Sequence, residues 1–256
     1  MKCGNTVIYA AMARKIEGIL FDLGDTLIDF AHCSMTEMFL AGARLGHEYL
    51  QEIGKTVPNF RKFHFRQLWA IRWNCLKARV TGREFNSLDV LGRFARKWGY
   101  ELTEAENQEL AWRFYQPLSK AATIVPGAEE VLRTFKKTGL KLGLVSNTFL
   151  SGAILDRHLE TAGLRDMFET RIYSSEVEYR KPHPEIFRIA LNAVGLQPDN
   201  AIFVGDSLKA DIAGANRAGM ITVLRDLAGR RKPGRIKPDH TLTEMTELPQ
   251  IVAQYE

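Results

Sequence analysis

Asp22, Ser146, Lys181 and Asp206 each end or closely follow a short apolar run of strand character. Ile19-Leu20-Phe21 runs into Asp22, Leu142-Gly143-Leu144-Val145 into Ser146, and Ile202-Phe203-Val204-Gly205 into Asp206. Ile172-Tyr173 runs into Ser174-Ser175, and Lys181-Pro182 follows. In an open parallel sheet the carboxyl ends of the strands share one edge, and ligands bind there. The four residues therefore converge as two carboxylates, a hydroxyl and an ammonium: a nucleophile, a metal ligand and two groups able to hold a phosphate. Each also has an ordinary alternative. Asp22 suits a strand-end turn, Ser146 and the nearby Asp211 suit helix N-caps, and Lys181 suits a solvated loop.

The elements that must position these residues are spread unevenly. Residues 16–22 read as a buried first strand, broken by Gly24-Asp25-Thr26. From Ser34 to Lys120 the pattern predicts amphipathic helices over Ser34 to Gln51, Asn59 to Val80, Glu84 to Trp98 and Thr103 to Leu118. Thr103-Glu104-Ala105-Glu106 has the spacing of a capping box. From Pro126 onward helix and strand alternate: helices at 128–138, 153–162, 184–194 and 211–218, strands at 141–145, 170–173, 201–204 and 221–224. A glycine stands just past each of these helices, at Gly139, Gly163, Gly195 and Gly219, where a left-handed cap is wanted. Such alternation implies a doubly wound parallel sheet, a Rossmann-like α/β core. The expected organisation is an N-terminal extension (1–15), a core (16–32 and 121–256) and an inserted α-helical cap (33–120). An insertion just after the first strand lies over the active edge and can act as a lid.

Composition narrows the class. A net charge of +5 over 256 residues suits an anionic substrate but is too weak and too general to argue for nucleic acid. Cys3, Cys33 and Cys75 are widely spaced, which argues against a disulfide framework or structural zinc and fits a reducing compartment. No apolar run approaches the roughly 18 residues a membrane span needs. Val7 to Ala13 has the length of a signal segment, but Lys2 alone precedes it and a strand begins almost at once, so the expectation is a cytoplasmic protein. Met12 is an alternative start.

Four segments occur in order on these elements: Phe21-Asp22-Leu23-Gly24-Asp25-Thr26-Leu27, Leu144-Val145-Ser146-Asn147, Arg180-Lys181-Pro182-His183-Pro184-Glu185-Ile186-Phe187, and Gly205-Asp206-Ser207-Leu208-Lys209-Ala210-Asp211. Together they resemble the motifs of the haloacid dehalogenase superfamily of hydrolases, over residues 16–30 and about 122–250. The resemblance implies that Asp22 attacks phosphorus and forms an aspartyl-phosphate, which water then hydrolyses. It implies Mg²⁺ held by Asp22, Asp206, the carbonyl of Gly24 and, directly or through water, Asp211. Ser146 and the backbone amides near Asn147 would bind phosphoryl oxygens, and Lys181 would neutralise the charge shared by nucleophile and phosphoryl group.

The chain departs from that pattern at one position. The family's phosphatases carry a second aspartate two residues after the nucleophile, as the general acid and base; here that position is Gly24, and Asp25 follows it. Asp25 reaches the leaving group through a changed loop, the substrates have leaving groups that need little protonation, or the protein is a poor catalyst or none. The main expectation is a Mg²⁺-dependent phosphohydrolase of a small phosphorylated metabolite, with no nucleic-acid or membrane partner. The alternatives are a non-catalytic phosphate- or partner-binding protein on the same fold, and a 2-haloacid dehalogenase. The last is disfavoured because family dehalogenases lack the aspartate that Asp206 supplies.

The insertion is basic: Lys55 to Lys97 holds eleven Lys or Arg and two Asp or Glu. Phe60, Phe63, Phe65, Trp69 and Trp73 recur there at helical spacing, which predicts core packing, with the charges on a solvated face. Thr81-Gly82-Arg83 joins two helices, and Arg83 is the candidate anion contact from the insertion. Gly229 to Lys237 reads as a basic loop.

Overall fold

The computed structural model describes residues 15–30, 34–226 and 234–255. The expected N-terminal extension, apart from Lys15, lies outside the described residues, as do Cys3, Cys33 and residues 229–233 of the basic loop.

Apolar runs of four to six residues form β1 (Gly18–Phe21), β4 (Lys141–Ser146), β6 (Ala201–Gly205) and β7 (Ile221–Arg225), nearly all buried. Such runs, apolar on both faces, are what a doubly covered parallel sheet requires. With β5 (Thr170–Tyr173) and β8 (His240–Leu242) they make a six-stranded sheet in the order β5-β4-β1-β6-β7-β8. All its pairs are parallel, and β1 lies at the centre with Phe21 opposite both Leu144 and Val204. This register brings the ends of β1, β4 and β6 to one level. Alternation along β1 sends Ile19 and Phe21 to one face and Leu20 to the other. The first face packs on α5 (Ala128–Lys137) and α6 (Gly152–Thr161), the second on α8 (Pro184–Val194) and α9 (Ala213–Ala218), with the single turn α7 (Ser174–Val177) following β5. The four predicted glycine caps all have positive φ, between 63° and 85°.

A short antiparallel pair, β2 (Ile28–Asp29) with β3 (Thr123–Ile124), forms the stem of the insertion. Between them lie α1 (Met35–Glu52), α2 (Phe60–Thr81), α3 (Ser87–Lys97) and α4 (Glu104–Ala121). The Thr103–Glu106 capping box forms as the spacing predicts. Helix α3 begins later than expected, because Asn86 caps it by accepting the Leu88 N–H at 2.9 Å. Helices α1 and α4 approach closely over Gly42 and Gly46, where an added Cβ would lie 2.1 Å from the Phe114 carbonyl oxygen and 2.7 Å from its ring.

One expectation of core packing fails. Phe63 is buried and Phe60 packs beside the core, but Phe65, Trp69 and Trp73 are 63%, 59% and 59% exposed. Helix α2 carries two stripes, and the one docked on α1 and α4 is the line of Phe63, Gln67, Ile71 and Ala78. Periodicity reveals that a stripe exists; tertiary docking decides which stripe faces inward. Among the described residues no helix is long and apolar enough to cross a membrane.

Candidate active site

Asp22 follows β1 directly, its N–H bonded to the Val204 carbonyl at 2.9 Å, so the sheet itself fixes the backbone under the carboxylate. Thr26 donates its hydroxyl to Asp22 Oδ2 at 3.3 Å, and Lys181 donates Nζ–H to Asp22 Oδ1. Lys181 Nζ also donates to the Val145 carbonyl at 2.8 Å and lies 2.7 Å from Asp211 Oδ1. The ammonium is buried, and an unpaired charge there would be costly. Burial opposes its charge, but Asp211 and Asp22 outweigh that and hold it protonated above its ordinary range. Burial acts the other way on Asp22, pushing its carboxyl up to about 7 against the pull of Lys181, and Asp211 and Asp206 add to the rise.

Asp211 reaches this cluster through an unusual turn. Leu208–Ile212 is π-helical, with Ser207 as its cap, accepting the Ala210 N–H at 3.2 Å. Asp211 Oδ2 accepts the Ser207 N–H at 2.9 Å. The alternative in which Asp211 only caps the helix does not hold: Ser207 is the cap, and the Asp211 carboxylate folds back toward β6. Gly205 makes room for it, since a Cβ there would stand 2.5 Å from Asp211 Cγ. The carboxylates of Asp22, Asp206 and Asp211 each bring an oxygen within 4.8 Å of the others. Three carboxylates, two buried and that of Asp206 half-buried, beside one ammonium leave an excess of negative charge, and hard oxygen donors so placed fit a divalent cation such as Mg²⁺.

Ser146 ends β4 and is buried at the cavity wall. Asn147 turns its side chain to the lysine loop: its Oδ1 accepts the Lys181 N–H at 2.7 Å and its Nδ2 donates to the Lys181 carbonyl at 2.9 Å. Asp25 adopts φ 55° and donates its N–H to the Ile28 carbonyl at 2.7 Å. Its Oδ1 accepts the Phe30 N–H at 3.2 Å, and its carbonyl accepts from buried Arg225. Gly24 has no such special backbone: a Cβ there would meet only the Phe30 ring, at 3.6 Å. One cavity of about 290 Å³ is lined by Asp22, Gly24, Asp25, Ser146, Asn147, Lys181, Asp206 and Asp211.

Arg83 is the site candidate that this cavity excludes. It is exposed, and its backbone bridges to Tyr179. The residue of this turn that faces inward is Glu84, which lies 3.2 Å from Arg180 Nε and 3.1 Å from Ser174 Oγ. Ser174 Oγ in turn accepts the Thr148 N–H at 2.9 Å, so the insertion is tied to the loop that follows Ser146. Glu84, Ser174 and Arg225 carry no local sequence signal; only long-range pairing identifies them.

A sequence model of the haloacid dehalogenase-like hydrolases matches residues 16–219, and the chain belongs to that family. It is similar to the pyrimidine 5'-nucleotidase YjjG of Escherichia coli, 29% identical over 94% of this chain and 100% of that protein. It is also similar to the phosphoserine phosphatase of Thermus thermophilus, 29% identical over 90% of this chain and 96% of that one. Among solved structures, a 2-haloacid dehalogenase from Pseudomonas syringae superposes with a TM-score of 0.67 at 24% identity, covering 94% of this chain and 100% of that one. A phosphatase of the same superfamily from Thermococcus onnurineus superposes with a TM-score of 0.61 at 24% identity, covering 93% and 99%. At that identity the structural likenesses establish the fold.

Proposed function

We propose that this protein is a cytoplasmic Mg²⁺-dependent phosphohydrolase acting on a small phosphorylated metabolite, without nucleic-acid or membrane partners. Residues 16–32 and 121–256 form its catalytic core and residues 33–120 its cap. Asp22 attacks phosphorus, the bond from phosphorus to the ester oxygen breaks, and the alcohol leaves. Water then cleaves the acyl phosphate, releasing phosphate and restoring Asp22. Asp22, Asp206, Asp211 and the Gly24 carbonyl would hold Mg²⁺, which when bound would offset the repulsion between the nucleophile and the phosphoryl group. Lys181 shares charge with Asp22 and the phosphoryl oxygens, while Ser146 and the amides near Asn147 bind those oxygens. Asp25 supplies the proton to the departing alcohol, the role its position on the cavity wall allows.

The observation that carries this reading is the three-carboxylate cluster around Lys181. It also weighs against halide displacement from a 2-haloacid. That reaction needs no cation, and a carboxylate substrate would be repelled by Asp206 and Asp211. The reading is tested by phosphate release from a panel of monoesters, with and without Mg²⁺, in wild type, Asp22→Asn and Asp25→Ala. Metal-dependent release lost in both variants is expected. Release that survives Asp22→Asn would overturn the mechanism, and no release from any substrate would favour a phosphate-binding protein without turnover.

A further inference from the structure

A second cavity, of about 200 Å³, lies between the insertion and the core. It shares Tyr115, Asn147, Thr148 and Leu150 with the catalytic cavity, so the two adjoin. Its lining is chiefly apolar, with Met38, Phe39 and Ile71 from the insertion and Phe149 from the core. Phe85 of the insertion stacks on Phe149, with centroids 5.3 Å apart and planes 6° from parallel. The chamber thus has its walls only while the insertion sits on the core. Among the described residues, no Asp, Glu, Lys, Arg or His lines it. Among its lining residues two buried polar atoms have no partner, Gln67 Oε1 and Ser87 Oγ, and of these the Gln67 oxygen, on a residue 6% exposed, can only accept. A buried carbonyl oxygen without a donor is costly, and a ligand that supplies the donor recovers that cost.

We infer that the substrates are phosphomonoesters of alcohols with an uncharged, largely apolar body of about aromatic-ring size that carries one hydrogen-bond donor for Gln67. The inference rests on the phosphohydrolase reading. With phosphorus at Asp22, the catalytic cavity continues past Thr148 and Leu150 into this chamber. A flat apolar body displaces water from walls of Met, Ile and Phe. A body bearing an ammonium or carboxylate would bury that charge with no counter-charge, and a two-carbon alcohol would leave the chamber unfilled.

The test compares alkyl phosphates of similar leaving-group strength: 2-phenylethyl phosphate, 2-(4-hydroxyphenyl)ethyl phosphate, ethyl phosphate and O-phosphoserine, each with Mg²⁺. Both aromatic esters should exceed ethyl phosphate and O-phosphoserine in kcat/KM by about tenfold or more, chiefly through KM. Gln67→Leu, close in volume, should remove the advantage of the hydroxyphenyl ester over the phenyl ester. Ile71→Lys should bring the ratio of phenylethyl to ethyl ester toward one. Phosphate release with no preference for the aromatic esters, or a preference for O-phosphoserine, overturns this inference and leaves the phosphohydrolase reading intact. Release from none of the four or from any wider monoester panel overturns both.

Discussion

Asn147 and Lys181 exchange two hydrogen bonds, the Lys181 N–H donating to Asn147 Oδ1 at 2.7 Å and Asn147 Nδ2 donating to the Lys181 carbonyl at 2.9 Å. One residue follows β4 and the other lies in the segment between α7 and α8. The clamp fixes the backbone from which Nζ reaches Asp22. It also spends both polar ends of the Asn147 side chain, so under the proposed function phosphoryl binding in this segment would fall to Ser146 and to backbone amides. Asn147→Ala should therefore act through Lys181. A misplacement of about 1 Å can cost on the order of 10²-fold in rate, and two lost bonds should lower stability by about 1–3 kcal/mol. Steady-state kinetics and urea denaturation together check this; full turnover in a destabilised variant would contradict it.

Gly24 can become an acid without strain, because a Cβ there makes only ordinary contact with Phe30. With Asp25 supplying the leaving-group proton, Gly24→Asp should leave turnover of alkyl phosphates within a few-fold of wild type, while Asp25→Ala should lower it by roughly 10²-fold and p-nitrophenyl phosphate turnover far less. A rise of roughly 10²-fold in Gly24→Asp would mean that the proton is missing from the wild type and would remove Asp25 from that role.

Gly205→Ala should displace Asp211, since the new Cβ would stand 2.5 Å from its Cγ. Overpacking of this kind costs about 1–3 kcal/mol, and the three-carboxylate cluster should open. Weaker Mg²⁺ binding by calorimetry is the expected result. Unchanged affinity would remove Asp211 from the ligand set.

His158 gives a pH dependence of known sign. Burial lowers its pKa to about 4, and Tyr115 Oη lies 2.8 Å from its Nδ1. An unfolded histidine titrates near about 6.5. The folded state thus binds fewer protons between those values, and the stability from neutral His158 is fully present above about pH 6.5 and lost as pH falls toward 4. Between pH 7 and 5 that amounts to about 2 kcal/mol. Urea midpoints at both pH values in wild type and His158→Gln isolate it, because the carboxylates shift both proteins alike. The variant should lose less stability on acidification; an equal loss would contradict the assignment.

Much of this architecture is legible in the sequence because it is local. The buried strands are continuous apolar runs, the four insertion helices keep their period to within three residues at either end, and Thr103 with Glu106 forms its box. The elements that were not legible depend on distant partners. Two residues each of β2 and β3 hold no period. The π turn at Leu208–Ile212 exists because Asp211 returns to Ser207. Glu84 meets Ser174 across 90 residues of chain, and Arg225 meets the Asp25 carbonyl across 200. The outward aromatic stripe of Phe65, Trp69 and Trp73 has the same spacing as an inward one.

The central claim is that Asp22 carries the phosphoryl group. The most direct measurement is to quench the protein in acid during turnover of a monoester with Mg²⁺, reduce the acyl phosphate with borohydride and locate the modified residue by peptide mass spectrometry. The account predicts modification at Asp22, dependent on both Mg²⁺ and substrate and absent from Asp22→Asn. Turnover with Asp22 unmodified, or with the label on another residue, would contradict it.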